Sequence, residues 1–221
     1  MHFLMKYSIA AISVVVALLT TVSSESAEDQ KEVVKTISLL GLNPMQLQGL
    51  KKTGKCTFEL TERLFDLDFP GHYDRKIRSI SISIPAMVGP YQNLQASLRQ
   101  TSHSTLLKPD LQGVDFLLGT TEVNPGDQVL RSSSTPSQSF AISRGVNDRG
   151  IFELDFGDER QIPFEGTGAV SNWEFEIRPE SLKNIDTDSI SDLIINLNYS
   201  VLEDDALKLY VQKKFGDASG K

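Results

Sequence analysis

The amino-acid sequence predicts an all-β fold, an antiparallel β-sandwich of the jelly-roll or Greek-key type with a short helical lead-in before it. Between residues 54 and 202, apolar and polar residues alternate in several short runs, which is the period of a strand that buries one face. Turn-forming residues, as at 124–127 and 163–166, separate these runs, and no long helical pattern lies between them. The hydrophobic content of 39% and the charged content of 23% are those of an ordinary globular domain.

Residues 1–24 have the pattern of a secretory signal peptide. Lys6 supplies a positive start, residues 9–19 form an uncharged apolar run, and small residues follow up to Ser24. The run is shorter than the ~20 apolar residues that cross a bilayer, so we expect no stable insertion into a membrane. Cleavage near Ser24 and secretion are therefore expected, with an uncleaved membrane anchor as the alternative.

Helical segments are predicted on both sides of the sandwich, in an arm of residues 25–53 and in a polar C-terminal tail of residues 203–221. Apolar residues recur at helical spacing between positions 28 and 40. A second short helix is expected to begin at Asn43 and Pro44, because asparagine is a good N-cap and proline suits the first helical position. The apolar side of the tail helix would carry Leu207, Tyr210 and Val211.

The strongest strand signals lie within residues 54–202. Residues 79–84 place three isoleucines on one face and three serines on the other, and residues 193–201 give the longest alternation. Trp173 lies in a further alternating run and is expected to be buried. The polar, proline-broken residues 131–138 are interpreted as a surface loop. Further strands are predicted at residues 94–98, 140–143, 151–156 and 173–177.

The single cysteine, Cys56, rules out an intramolecular disulfide. An exported domain of this size must then be held together by its hydrophobic core. Cys56 alternates with Phe58 and Leu60, which predicts a buried thiol on a strand. A reactive thiol or an intermolecular bridge is the alternative.

The sequence contains no motif that indicates catalysis, a metal site or a cofactor. A formal net charge of -7 argues against binding to nucleic-acid phosphates. Neither His72 nor His103 has a second histidine at zinc-binding spacing; His72 is expected to make a structural hydrogen bond in a turn, and His103 to lie in a solvated loop. Asn198 begins the only N-x-[ST] glycosylation sequence. We therefore expect a non-enzyme without a cofactor or metal, with Asn198 as a possible glycan acceptor.

Three stretches of the sequence resemble one known family. The first covers residues 54–73, includes the turn sequence Phe-Pro-Gly-His-Tyr at 69–73, and leads through a Ser/Ile strand to residues 88–91. The second covers residues 150–173, and the third, residues 190–194, begins the last strand. In this order they resemble the C-terminal TcB-binding domain of the TcA subunits of insecticidal toxin complexes.

In that family the domain is a β-structure at one end of a large pore-forming subunit, where it docks the TcB–TcC cocoon that carries the toxic enzyme. For this chain, the resemblance implies a secreted, non-enzymatic protein-binding module. Its partner would be a TcB-like β-propeller or further copies of the chain itself. The motif residues are interpreted as architecture or, alternatively, as direct contacts with the partner: Asp68, His72, Tyr73, Arg75, Tyr91, Asp158, Glu159, Arg160, Phe164 and Glu165.

The chain departs from the family pattern at Ala86, where a cysteine is expected, and at Asp74, where a large or basic residue is expected.

Two other functions are compatible with the same predicted fold. A carbohydrate-binding sandwich would expose aromatic side chains such as Tyr73, Tyr91 and Trp173 on one concave face. A hydrolase would need two carboxylates facing each other across a cleft.

Overall fold

The computed structural model describes residues 30–87, 93–143, 150–156, 163–183 and 185–218. The predicted signal peptide, residues 1–24, lies outside these ranges. The helices are α1 (Leu39–Leu42), α2 (Pro44–Thr53), α3 (Glu62–Asp66), α4 (Leu111–Leu117), α5 (Pro179–Leu182) and α6 (Asp205–Ala218). The strands are β1 (Lys31–Ser38), β2 (Lys55–Leu60), β3 (His72–Pro85), β4 (Gln95–Leu106), β5 (Leu130–Ser133), β6 (Ser137–Ile142), β7 (Ile151–Asp155), β8 (Val170–Ile177) and β9 (Ile194–Glu203).

The strands form two antiparallel sheets, which confirms the predicted all-β sandwich. The first sheet has the order β1-β9-β3-β7, and the second has the order β2-β8-β4. At the outer edge of β4, strand β5 pairs with residues 103–106 and strand β6 pairs with residues 95–100. Strands that are far apart in sequence are therefore neighbours in space, as in Greek-key sandwiches.

One hydrophobic core lies between the two sheets. The predicted alternation is confirmed in β3, where Ile80, Ile82 and Ile84 point into the core. Trp173 is also buried, as predicted, and packs edge-on against Phe164 with ring centroids 4.9 Å apart. Each fully buried side chain of this kind contributes roughly 1.5–3 kcal/mol of transfer free energy, so the core stabilises the chain without a disulfide.

The prediction of a helix near residues 28–40 is wrong over most of that range. Residues 31–38 form strand β1, which pairs with β9 along its whole length. Val33 and Ile37 fit helical spacing, but they equally fit alternation, and Lys35 between them also faces inward. Pairing with β9 therefore overrides the local helical pattern.

The second half of the predicted arm is helical. Helix α2 begins as expected, with Pro44 at its start and the Asn43 side chain accepting a hydrogen bond from the Gln46 backbone N–H at 3.3 Å. The Gln46 side-chain oxygen in turn accepts from the Thr57 backbone N–H at 2.9 Å. This bond occupies a donor on β2, a strand that would otherwise present a free edge.

The prediction of a surface loop at residues 131–138 is also wrong. Strands β5 and β6 occupy most of this stretch, and both pair with β4. Pro136 falls between them, where no ladder hydrogen bond is required. The polar side chains indicated a loop, but an edge strand can also keep most of its side chains in water.

The predicted tail helix is present as α6, and it closes a second, smaller core. Leu207 and Val211 of α6 are buried against Tyr73, Leu106 and Val114. Tyr210, on the same helix, donates its hydroxyl to the Asp115 carboxylate at 2.8 Å. The tail therefore packs on the end of the sandwich. Among the described residues, no helix combines the length and the apolar character needed to span a bilayer.

Candidate functional site

Six of the ten predicted partner residues lie in the described part of the chain, and the structure brings them together around the first half of β3. Residues 163–169 run alongside this part of β3, where the Ala169 N–H donates to the Arg75 carbonyl at 3.0 Å and the Gly166 N–H donates to the Ile77 carbonyl at 2.8 Å. We call residues 62–75, which comprise α3, the following turn and the start of β3, the β3 corner. The other four predicted residues lie outside the described ranges: Tyr91, Asp158, Glu159 and Arg160.

A buried ionic triad holds the β3 corner together. One terminal guanidinium nitrogen of Arg75, on β3, donates a hydrogen bond to Glu62, and the other donates to Asp66 at 2.6 Å. All three side chains are almost completely buried. The guanidinium also lies over the Phe65 ring, 5.5 Å from its centroid. Helix α3 is thereby fixed to β3 at a defined position.

Two carboxylates share this one arginine. The pKa of Asp66 rises to about 7, first because burial disfavours the carboxylate and second because Glu62 lies close, while Arg75 acts in the opposite direction. The second oxygen of Asp66, Oδ2, is buried and has no hydrogen-bond partner among the described residues. The triad is therefore a structural cluster that is sensitive to the loss of any member.

The turn between α3 and β3 depends on Gly71. Its φ of 87° lies in the left-handed region, as the sequence pattern predicts for this turn. The Gly71 carbonyl accepts a hydrogen bond from the Asp204 N–H at 3.0 Å. A β-carbon at position 71 would lie 2.5 Å from the β-carbon of Lys208, so only glycine allows α6 to approach this closely.

His72 connects the turn to the last strand. Its Nε2 lies 2.8 Å from the Glu203 carboxylate, which confirms the predicted structural hydrogen bond, and Glu203 also pairs with Lys31 at 2.5 Å. The imidazole is buried and stacks on the Phe69 ring, with 5.3 Å between centroids. Burial lowers the pKa of His72, the hydrogen bond with Glu203 opposes this, and Arg75 lowers it further.

The longest exposed stretch of the β3 corner is the tip formed by residues 67–69. Leu67 is 59% exposed, Phe69 is 37% exposed, and the Asp68 side chain is 53% exposed while it pairs with Lys35. The sequence pattern predicts Asp68 as a partner residue but does not indicate Leu67 or Phe69. The signal available in the sequence was two apolar residues flanking an aspartate directly before a Pro-Gly turn.

The remaining predicted residues are divided between the interior and the surface. Tyr73 and Phe164 are buried in the smaller and the main core, respectively, and His72 and Arg75 are also inside. Glu165 is exposed and lies 3.5 Å from Arg78. Of these six residues, four are buried, and Asp68 and Glu165 are the ones that reach solvent.

A groove of about 270 Å³ separates the tip from α6. Residues of the tip, of the following turn, of the end of β9 and of the first two turns of α6 line this groove. Four of the ten residues that line this groove are acidic and one is a lysine. Its lining includes Asp68, Phe69, Glu203, Asp204, Asp205 and Lys208.

Other candidate sites from the sequence have structural roles. His103 lies on β4, so the loop predicted for it is wrong, and its Nδ1 accepts a hydrogen bond from the Gly168 N–H at 3.1 Å. Tyr73 and Trp173, two aromatic candidates for a sugar platform, are buried, which removes them from any such surface. Among the described residues, no group of three His, Cys, Asp or Glu side chains is placed to hold a metal ion. Asn198, the predicted glycan acceptor, is half-buried on the outer face of β9, and its side-chain oxygen is shielded from solvent.

A family model of the Tc toxin complex TcA C-terminal TcB-binding domain matches residues 10–201. The chain belongs to this family. The predicted resemblance is thereby confirmed, and the match includes the β3 corner but ends before α6. This TcB-binding domain is 38% identical over 180 residues to toxin subunit YenA2 of Yersinia entomophaga. That alignment covers 80% of this chain and 13% of YenA2.

Solved structures also resemble this TcB-binding domain. The cryo-EM structure of Yersinia pseudotuberculosis TcaA–TcaB matches with 23% identity and a TM-score of 0.44, over 79% of this chain and 10% of that chain. A capsid structure, that of Mud crab tombus-like virus, matches with 11% identity and a TM-score of 0.29, over 86% of this chain and 96% of that one. The chain therefore spans only a small part of its toxin relatives.

Removing the Arg75 charge should destabilise the domain strongly. In the Arg75→Met variant, Glu62 and Asp66 lose their common partner, and we expect the free energy of unfolding to fall by about 3–5 kcal/mol. Chemical denaturation of the full chain measures this change. The matched control is Arg99→Met, which breaks an exposed pair with Glu174 and should cost less than about 1 kcal/mol. Equal losses in the two variants would contradict the role given to Arg75.

Proposed function

We propose that this chain is a protein-binding module that docks TcB and works without catalysis. Membership of the TcB-binding domain family is the observation that supports the partner. The same membership supports a role without catalysis, because the family is described by the partner that it binds. The receiving surface on TcB is proposed to be its β-propeller.

The tip of residues 67–69 is the proposed centre of the docking surface. Leu67 and Phe69 present apolar area to solvent, and the triad below them fixes the backbone that carries them. A preorganised tip loses little conformational entropy when a partner covers it, so more of the contact energy remains as affinity. Central apolar side chains that become fully desolvated are typical interface hot spots.

The groove beside the tip supports a specific chemistry on the partner. Asp68 and Glu203 are paired with lysines of this chain, and Asp204 caps α6 by accepting from the Leu207 N–H at 2.7 Å. Asp205 is exposed at the start of the helix. A partner segment that inserts a lysine or arginine side chain here would complement the acidic lining.

We also propose that the chain is exported. The support is the uncharged apolar run of residues 9–19, followed by small residues. N-terminal sequencing of the protein recovered from culture medium should find a first residue close to Glu25. Recovery of a chain that still begins at Met1, or its retention in the membrane fraction, would contradict export with cleavage.

The docking proposal predicts a loss of affinity when the tip becomes charged. In the Leu67→Asp variant, a carboxylate would have to be desolvated in the interface, and we expect the Kd for purified TcB to rise about tenfold or more. Surface plasmon resonance with immobilised full-length chain measures this directly.

The matched control is Met45→Asp, because Met45 of α2 is 77% exposed and lies outside the β3 corner. Its Kd for TcB should equal that of the unaltered chain. Failure of the unaltered chain to bind TcB would contradict the proposed partner. Equal effects of the two variants would contradict the proposed surface. Capture of a second copy of the chain instead of TcB would favour self-association.

A further inference from the structure

The buried ring of His72 has one nitrogen with a partner and one without. Nε2 lies 2.8 Å from Glu203 Oε1, and because a carboxylate can only accept, Nε2 carries the proton and donates it. Nδ1 is then the unprotonated nitrogen. It is buried and has no hydrogen-bond partner among the described residues. This arrangement is satisfied by a neutral imidazole and is incomplete for an imidazolium.

Protonation of His72 in this conformation would create a buried N–H cation at Nδ1 without an acceptor. Glu203 favours the charged ring from the Nε2 side, but Lys31 already pairs with Glu203, and Arg75 repels a second positive charge. An imidazolium would therefore gain most by turning towards water. Charged groups reach His72 or the groove beside it from every element packed around the ring: Asp68 from the turn, Lys31 from β1, Arg75 from β3, Glu203 from β9, and Asp204, Asp205 and Lys208 from α6.

Movement of the ring would release the tip. Phe69 lies flat on His72, with an interplanar angle of 1°, so the aromatic support of the tip is the imidazole itself. The turn is anchored from the other side by the bond between the Gly71 carbonyl and the Asp204 N–H. If the imidazole turns towards solvent, Phe69 loses its stacking partner, while the turn remains held by the bond at Gly71.

We propose that His72 is a pH-sensitive latch that holds the docking tip at neutral pH and releases it on acidification. Docking of TcB then weakens as the pH falls from 7.5 to 5.5. This proposal rests on the proposed function for its effect on TcB, whereas the release of the tip stands without it.

The direction of the pH dependence follows from the protonation equilibria. His72 has a pKa below its ordinary value in the folded chain, so its contribution to stability is present above pH ~6.5 and is lost as the pH falls. Asp66 acts in the opposite direction, because its pKa of about 7 lies above the ordinary carboxyl value and its contribution is lost as the pH rises through 7. A variant at position 72 is therefore needed to separate the two groups.

The test compares His72→Gln with the unaltered full chain at pH 7.5 and 5.5. A glutamine amide can donate to Glu203 as Nε2 does, but it does not titrate in this range. We expect acidification to raise the Kd of the unaltered chain for TcB at least fivefold more than that of H72Q, each compared with its own value at pH 7.5, because the substitution also removes the ring that stacks on Phe69. His103→Gln is the matched control, because the pKa of His103 is also lowered by burial although it lies on β4, and this variant should keep the unaltered pH response.

A second measurement keeps the latch separate from TcB. Hydrogen exchange of the backbone amides of residues 67–69 and 71 in the free chain, corrected for the intrinsic effect of pH, should show lower protection at pH 5.5 in the unaltered chain and no change with pH in H72Q. Unchanged protection in the unaltered chain, or an equal loss in H72Q, would overturn the latch. Loss of protection confined to the unaltered chain, without TcB binding at either pH, would support the latch and overturn the docking function.

Discussion

Arg75 is the constraint on which the β3 corner depends. A guanidinium and two carboxylates are expensive to remove from water, and they remain together only because Glu62 and Asp66 reach Arg75 from consecutive turns of α3. The geometry fixes the distance between α3 and β3 and therefore the course of the turn that joins them. Phe65, which underlies the guanidinium, packs edge-on against Tyr199 of β9 and continues this constraint into the main core.

The contacts around the triad are arranged in layers that end at the exposed tip. Lys31 and Lys35 of β1 pair with Glu203 and Asp68, so the first strand of the sheet closes over the corner. Helix α6 closes it from the other side, where Phe215 lies under the guanidinium of Arg63, with 5.3 Å between that group and the ring centroid. Buried charges, a stacked histidine and a helix thus support a small apolar surface, which is the arrangement that a docking element requires.

The sequence predicts the sheets better than it predicts the site. Strand β3 could be predicted because Ile80, Ile82 and Ile84 fit only a period of two, whereas Val33 and Ile37 fit both a strand and a helix, and only β9 decides between them. Position 71 could be predicted because a Pro-Gly turn needs a left-handed residue. The triad could not, because the pairing of Arg75 with α3 depends on how a helix and a strand pack, and no local pattern encodes that.

The most direct test of the docking account uses the chemistry of Cys56. This thiol is buried and its pKa is raised to about 12 by burial, so a Leu67→Cys chain offers one reactive thiol at the tip. The rate at which a maleimide modifies that thiol, measured with and without TcB, reports whether the tip is covered. If the tip is the docking surface, TcB slows modification of L67C at least tenfold and leaves the modification of a Met45→Cys chain unchanged. If TcB binds L67C but the rate of its modification by the maleimide does not change, the assignment of the β3 corner as the docking surface is contradicted.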